Sequence, residues 1–176
     1  MRAIHPELRP LHFLFGSLSH ADSRAALKPD RVIIVGIGND FRRDDGVGLA
    51  VAQCVAERHL PGVRVVSGVS EPAALLEIWD GAALAVVVDA ATGPDATAGR
   101  IRRWAGTDLE ATAVVSSHAL GLAQTFALGQ ALAHIPDQLV VFTIDVTDTG
   151  HGVGLTPAVA AAVPCLVDVV IAELSH

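Results

Sequence analysis

Val32-Ile33-Ile34-Val35-Gly36-Ile37-Gly38-Asn39-Asp40-Phe41-Arg42-Arg43-Asp44-Asp45-Gly46-Val47-Gly48 is the stretch that decides the fold. Its first four residues are an unbroken β-branched run, the pattern of a strand buried on both faces. Gly36-Ile37-Gly38-Asn39 ends the strand, and Asp44-Asp45-Gly46 opens a helix. That helix is expected from about Val47 to His59, with Val47, Ala50, Val51, Cys54 and Val55 on one face. A buried strand that turns sharply into an amphipathic helix is the first half of a βαβ unit.

The same alternation continues downstream. Pro61-Gly62 is a turn before a strand at Val63–Val66, and Glu71-Pro72 begins a helix reaching Trp79, with Pro72 at a favoured first-turn position. Ala83–Val88 reads as a buried strand ending at Asp89, Arg100–Trp104 as an edge strand, and Ala119–Ala133 as a helix behind Ser116-Ser117-His118. Leu139–Val146 is the last strand, and Thr156-Pro157 caps a final helix running towards Glu173 with a bend expected at Pro164. Buried strands alternating with amphipathic helices define an α/β sandwich around a mainly parallel sheet. In such sheets ligands bind at the carboxyl ends of the strands.

Composition limits the function. The chain has 176 residues, 51% hydrophobic and 18% charged, enough apolar side chain to order one domain. The net charge of −7 disfavours a nucleic-acid backbone or an anionic membrane as partner. Five Phe, two Trp and no Tyr leave little for base stacking. No apolar run is long enough to span a bilayer. Cys54 and Cys165 lack CxxC spacing and read as buried reduced thiols, which suits a cytoplasmic protein. Residues 1–30 read as a poorly ordered extension and 31–176 as the domain.

Four side chains carry the candidate chemistry. In the first loop the dinucleotide fingerprint fails, because Phe41 stands where it needs glycine, and no Gly-Lys-Ser/Thr follows. Two carboxylates at the helix start would also repel phosphate, and taken alone Asp44 or Asp45 reads as a helix cap. Asp89 closes a strand, where an Asx turn is the plain alternative. His118 starts a helix beside a capping serine, and without a Gly-x-Ser-x-Gly elbow Ser117-His118 is not read as a serine triad. Asp145 and Asp148 are weaker candidates for the same rim. Together, Asp45, Asp89 and His118 offer two carboxylates and an imidazole on one sheet edge, a donor set for a borderline divalent ion such as Ni²⁺ or Zn²⁺.

The ordered motifs resemble those of the hydrogenase maturation proteases. Gly36-Ile37-Gly38-Asn39 followed by Asp44-Asp45-Gly46-Val47-Gly48 matches that family's opening pattern, Val88-Asp89-Ala90 its strand end, His118-Ala119-Leu120-Gly121-Leu122 its histidine motif and Gly154-Leu155-Thr156-Pro157 its late motif. The resemblance implies a three-layer αβα sandwich with a twisted five-stranded sheet, of the phosphorylase/hydrolase-like kind. It also implies an endopeptidase that removes the C-terminal peptide of a [NiFe]-hydrogenase large-subunit precursor once nickel is in place. Asp45, Asp89 and His118 would be nickel ligands, the metal arriving with the precursor rather than residing in the enzyme. Asp44 and Asp89 are the candidate general bases, so the catalytic set is Asp44, Asp45, Asp89 and His118. Two departures bear on substrate preference. Some members carry Glu at the position of Asp45, and some have Asp-Gly-Gly-Thr where this chain has Ser67-Gly68-Val69-Ser70.

Two other functions compete. One is a non-catalytic, nickel-dependent chaperone of the large subunit. The other is a peptidyl-tRNA hydrolase-like enzyme, which shares a Gly-x-Gly-Asn strand end but wants a basic channel that a chain at −7 does not supply. A monomer is the default expectation, since no long exposed apolar helix stands out.

Overall fold

The computed structural model describes residues 32–69, 72–108 and 117–175. The extension read at residues 1–30, Glu71 and Ser116 lie outside the described residues. Strands β1 (Val32–Gly36), β2 (Val63–Ser67), β3 (Leu84–Ala91), β4 (Ile101–Ala105) and β5 (Gln138–Asp145) form one sheet in the order β2-β1-β3-β5-β4. All neighbours are parallel except β4, which runs antiparallel to β5. Helices α1 (Val47–Ala56), α2 (Pro72–Trp79), α3 (Ser117–Leu132) and α4 (Pro157–Glu173) complete the described fold, with short 3₁₀ turns at Arg43–Gly46 and Gly106–Asp108.

Strand alternation sorts the core into two layers. Ile34, Val86, Val88, Val140, Phe142 and Ile144 pack with Val51 and Val55 of α1 and with Val163, Leu166 and Val170 of α4. Ile33, Val35, Ala85, Val87 and Val141 pack on the other face with Leu75 and Trp79 of α2 and Leu122 of α3. Trp79 is fully buried and its indole N–H donates to the His134 carbonyl at 3.2 Å, so its polar edge is satisfied. The result is the αβα sandwich expected, with five strands. Among the described residues no helix is long and apolar enough to cross a membrane.

Several boundaries move. The first helix ends at Ala56 rather than His59, because His59 sits at φ +49, outside helical geometry. The acidic pair lies in a 3₁₀ turn ahead of α1, and neither acid caps that helix, whose N-cap is Gly46 without a side-chain bond. The last helix runs from Pro157 to Glu173 as one element, with Pro164 inside it. β3 continues past Val88, so Asp89 is a strand residue opposite Thr143 of β5. Its ladder with β1 stops at Gly36–Val88, where β1 turns away. Cys54 and Cys165 are free, as expected, but Cys54 is half-buried and Cys165 is exposed on α4, not buried.

Candidate active site

β1 is followed by α1 and β2 on one side, and β3 lies on the other. The direction of winding therefore reverses between β1 and β3. A crevice opens at the carboxyl ends of two strands where their connections diverge, and ligands of open α/β sheets bind there. Asp45 follows β1 and Asp89 belongs to the end of β3, so the two carboxylates flank this point.

Glycine makes the approach possible. A side chain on Gly48 would run into the carbonyl oxygens of Ile37 and Val88, and one on Gly38 into that of Asp45. The start of α1 thus presses directly on the ends of β1 and β3, and the turn bearing Asp45 folds back onto Gly38. The Ile37 N–H donates to the Val88 carbonyl at 2.9 Å, one residue before Asp89, and the Asn39 N–H donates to the Asp45 carbonyl at 3.3 Å. Asp45 is 9% exposed and Asp89 2%, so both carboxylates are largely withdrawn from water. Asp89 accepts from the Ala90 N–H at 2.8 Å. By alternation with Ala85 and Val87, Asp89 belongs to the sheet face covered by α2 and α3.

His118 is the second residue of α3. The helix has 16 residues, about 24 Å long, and feeds β5 at the amino end of the sheet. Its first turn is therefore directed back towards the carboxyl edge. The His118 side chain lies outside what is described, and among the described residues no group of three or more His, Cys, Asp or Glu gathers as a metal site. Carboxylate oxygens are donors that a borderline divalent ion accepts, and α3 packs on the same sheet face as the one to which Asp89 belongs.

Asp44 is fully buried and has a different task. Its Oδ1 accepts from the Thr156 N–H at 2.6 Å and its Oδ2 from the Thr156 hydroxyl at 2.9 Å. Thr156 precedes α4 but gives its hydroxyl to Asp44 rather than to its own helix. The acidic turn and the segment before α4 are zipped together elsewhere too. Arg43 N–H donates to the Gly152 carbonyl at 2.9 Å, Gly152 N–H to the Phe41 carbonyl at 3.0 Å, and Asp44 N–H to the Asp148 carbonyl at 3.2 Å. These bonds hold Arg43 at φ +49, a left-handed conformation that costs a non-glycine residue energy. Asp148 pairs with the Arg43 guanidinium at 2.5 Å. The Gly150 amide first, then Arg43, keeps the Asp148 carboxyl below the usual carboxylate range.

Asp145 does not face the crevice chemistry expected of it. Its carboxylate is bound by Arg100 at 2.7 Å, by Arg102 at 3.0 Å and by the Thr97 N–H at 3.1 Å. Burial alone would raise its pKa, but the Arg102 bond, the Thr97 amide and Arg100 together lower it. Two features were not singled out from the sequence. One is the bond from Thr156 to Asp44, since in the sequence Thr156 reads as a helix cap and as part of the late motif but not as a partner of the acidic turn. The other is a pair of apolar side chains on the zipped loops, Phe41 at 71% and Val153 at 79% exposure.

The fold is that of an α/β-sandwich protein with an acid on each side of the switch point of its sheet. A family model described as hydrogenase maturation protease matches residues 49–173, and the chain belongs to that family. It is accordingly an endopeptidase. The acidic loop at Gly36–Gly48 lies just ahead of the matched span. The chain is 29% identical over 157 residues to the hydrogenase expression/formation protein HupD of Rhodobacter capsulatus, covering 85% of this chain and 73% of that protein. Its fold is similar to that of the hydrogenase maturating endopeptidase HybD from E. coli, with TM-score 0.74 and 20% identity over 82% of this chain and 92% of that one. It is also similar to the [NiFe] hydrogenase maturation protease HybD from Thermococcus kodakarensis, with TM-score 0.64 and 25% identity over 83% and 99%.

Proposed function

We propose that this endopeptidase removes the C-terminal peptide of a [NiFe]-hydrogenase large-subunit precursor after nickel insertion, in the cytoplasm. The observation that carries the proposal is the placement of Asp45 and Asp89 on the two sides of the β1/β3 switch point in a chain of this family. Nickel belongs to the substrate in this reading. Asp45, Asp89 and His118 complete the coordination of an ion that the precursor already holds, and carboxylate and imidazole donors suit such an ion. A precursor without nickel lacks that attachment and stays uncut.

The low exposure of both carboxylates strengthens their interaction with a docked cation, because little water competes. Peptide hydrolysis also needs a group that takes a proton from the attacking water. Both Asp44 oxygens are bound by Thr156, so Asp44 is read as the strut of the turn rather than as that group. Asp45→Asn, Asp89→Asn and His118→Ala are each expected to lower processing of nickel-loaded precursor by about 100-fold or more, with far-UV circular dichroism unchanged. Wild-type processing rates in all three, read as the gel shift of the large subunit, would sink the assignment.

A further inference from the structure

β2 is a terminal strand of the sheet, paired with β1 alone among the described residues. A groove runs along it against α1. Its upper part, about 440 Å³, is lined by Asp40, Gln53, Ala52, Ala56, Val65 and Ser67. Its lower part, about 270 Å³, shares Ala56 and Val65 and continues to His59, Leu60 and Val63. The small side chains of Ala52 and Ala56, one helical turn apart, leave this space open beside the strand. The upper mouth adjoins the acidic turn, since a side chain on Gly46 would lie 3.0 Å from the Asp40 Cα. A channel for extended chain therefore leads from the residue after Asp45 to the foot of the sheet.

We propose that the segment of substrate beyond the scissile bond lies in this groove as an added strand on β2. The inference rests on the proposed removal of a C-terminal peptide. β2 has five residues, so about 17 Å of extended chain, roughly five residues, fits beside it. The upper end of the groove adjoins the acidic turn, and in the proposed reaction the extended chain beyond the cut is the C-terminal tail. The tail then runs from the crevice to the foot of the sheet, antiparallel to β2. Main-chain bonds to the edge strand hold it without regard to sequence, and alternate side chains facing Val63, Val65 and Ala56 select small or medium apolar residues.

The test uses nickel-loaded precursor and a synthetic copy of the peptide that the wild-type enzyme releases. Ala56→Trp and Gln53→Trp fill the groove from exposed positions on α1. Each is expected to raise KM for precursor about tenfold with kcat changed far less, at unchanged Tm. The synthetic tail is expected to slow hydrogen exchange at the β2 amides, and either substitution to remove that protection. Unchanged KM in both variants, or protection confined to other elements, overturns the groove assignment while leaving the protease reading intact. Protection of β2 that exists without peptide and vanishes when residues 1–30 are deleted assigns the groove to the chain's own leading segment and likewise overturns it. A wild-type enzyme that leaves nickel-loaded precursor uncut refutes the function itself, and the groove assignment falls with it.

Discussion

Adjacent carboxylates at positions 44 and 45 differ in what they touch. Asp44 is buried and accepts two bonds from one threonine 112 residues away, which ties the acidic turn to the start of α4. Asp45, one residue on, is carried by the turn that this pair anchors. Thr156→Val keeps the backbone N–H but removes the hydroxyl, leaving a buried carboxylate oxygen without its donor. A loss of about 1–3 kcal/mol is expected, because an unsatisfied buried acceptor forfeits its hydration as well as its bond. Thr156→Ser restores the donor and is expected to recover both stability in denaturant titration and the rate of precursor cleavage. A valine variant as stable and active as wild type would contradict the strut.

At the scale of elements, β4 is the one antiparallel strand of the sheet among the described residues. It is fastened through Arg102, and the loop before it through Arg100, to the carboxylate that ends β5. The Asp145 pKa lies below the ordinary 3.8, so the ionised form is favoured by folding. Its contribution is complete above the unfolded-state pKa and is lost as pH falls through the lowered folded value. Asp145→Asn is expected to cost on the order of 2 kcal/mol at pH 7, less than a fully buried pair because Arg100 remains 44% exposed. The gap to wild type should narrow below about pH 4, checked by denaturant titration at pH 7 and pH 3. A gap that stays constant across that range would remove Asp145 from the acid response. The alternation of Ile101 with Arg100 and Arg102 was legible as an edge strand. The partner of those arginines was not, since Asp145 lies 43 residues beyond Arg102 and read equally well as a rim acid. Asp89 was legible as an edge carboxylate, yet its strand runs on, because the ladder to β5 outlasts the ladder to β1. Apolar runs reveal where strands begin, while pairing with neighbours determines where they stop.

Over the whole molecule, the order of layers followed from local pattern and the order of strands did not. Continuous apolar runs such as Val32–Val35 and Leu139–Val141 identify buried strands wherever they are placed in the sheet. The winding reversal between β1 and β3 is a property of crossovers, which no single segment encodes. That reversal sets the ends of β1 and β3 side by side, with Asp45 following one and Asp89 on the other, both already legible as loop and strand-end acids, and it leaves β2 paired with β1 alone among the described residues. In the proposed reading the crevice receives a cation delivered with the substrate, and the edge receives the extended chain beyond the cut. The most direct test of this account is mass spectrometry of a [NiFe]-hydrogenase large-subunit precursor incubated with the protein, with and without nickel loaded. Release of one defined C-terminal peptide from the nickel-loaded form alone is the predicted result. An intact precursor that binds the protein in a nickel-dependent way, or equal cleavage of the nickel-free form, would contradict it.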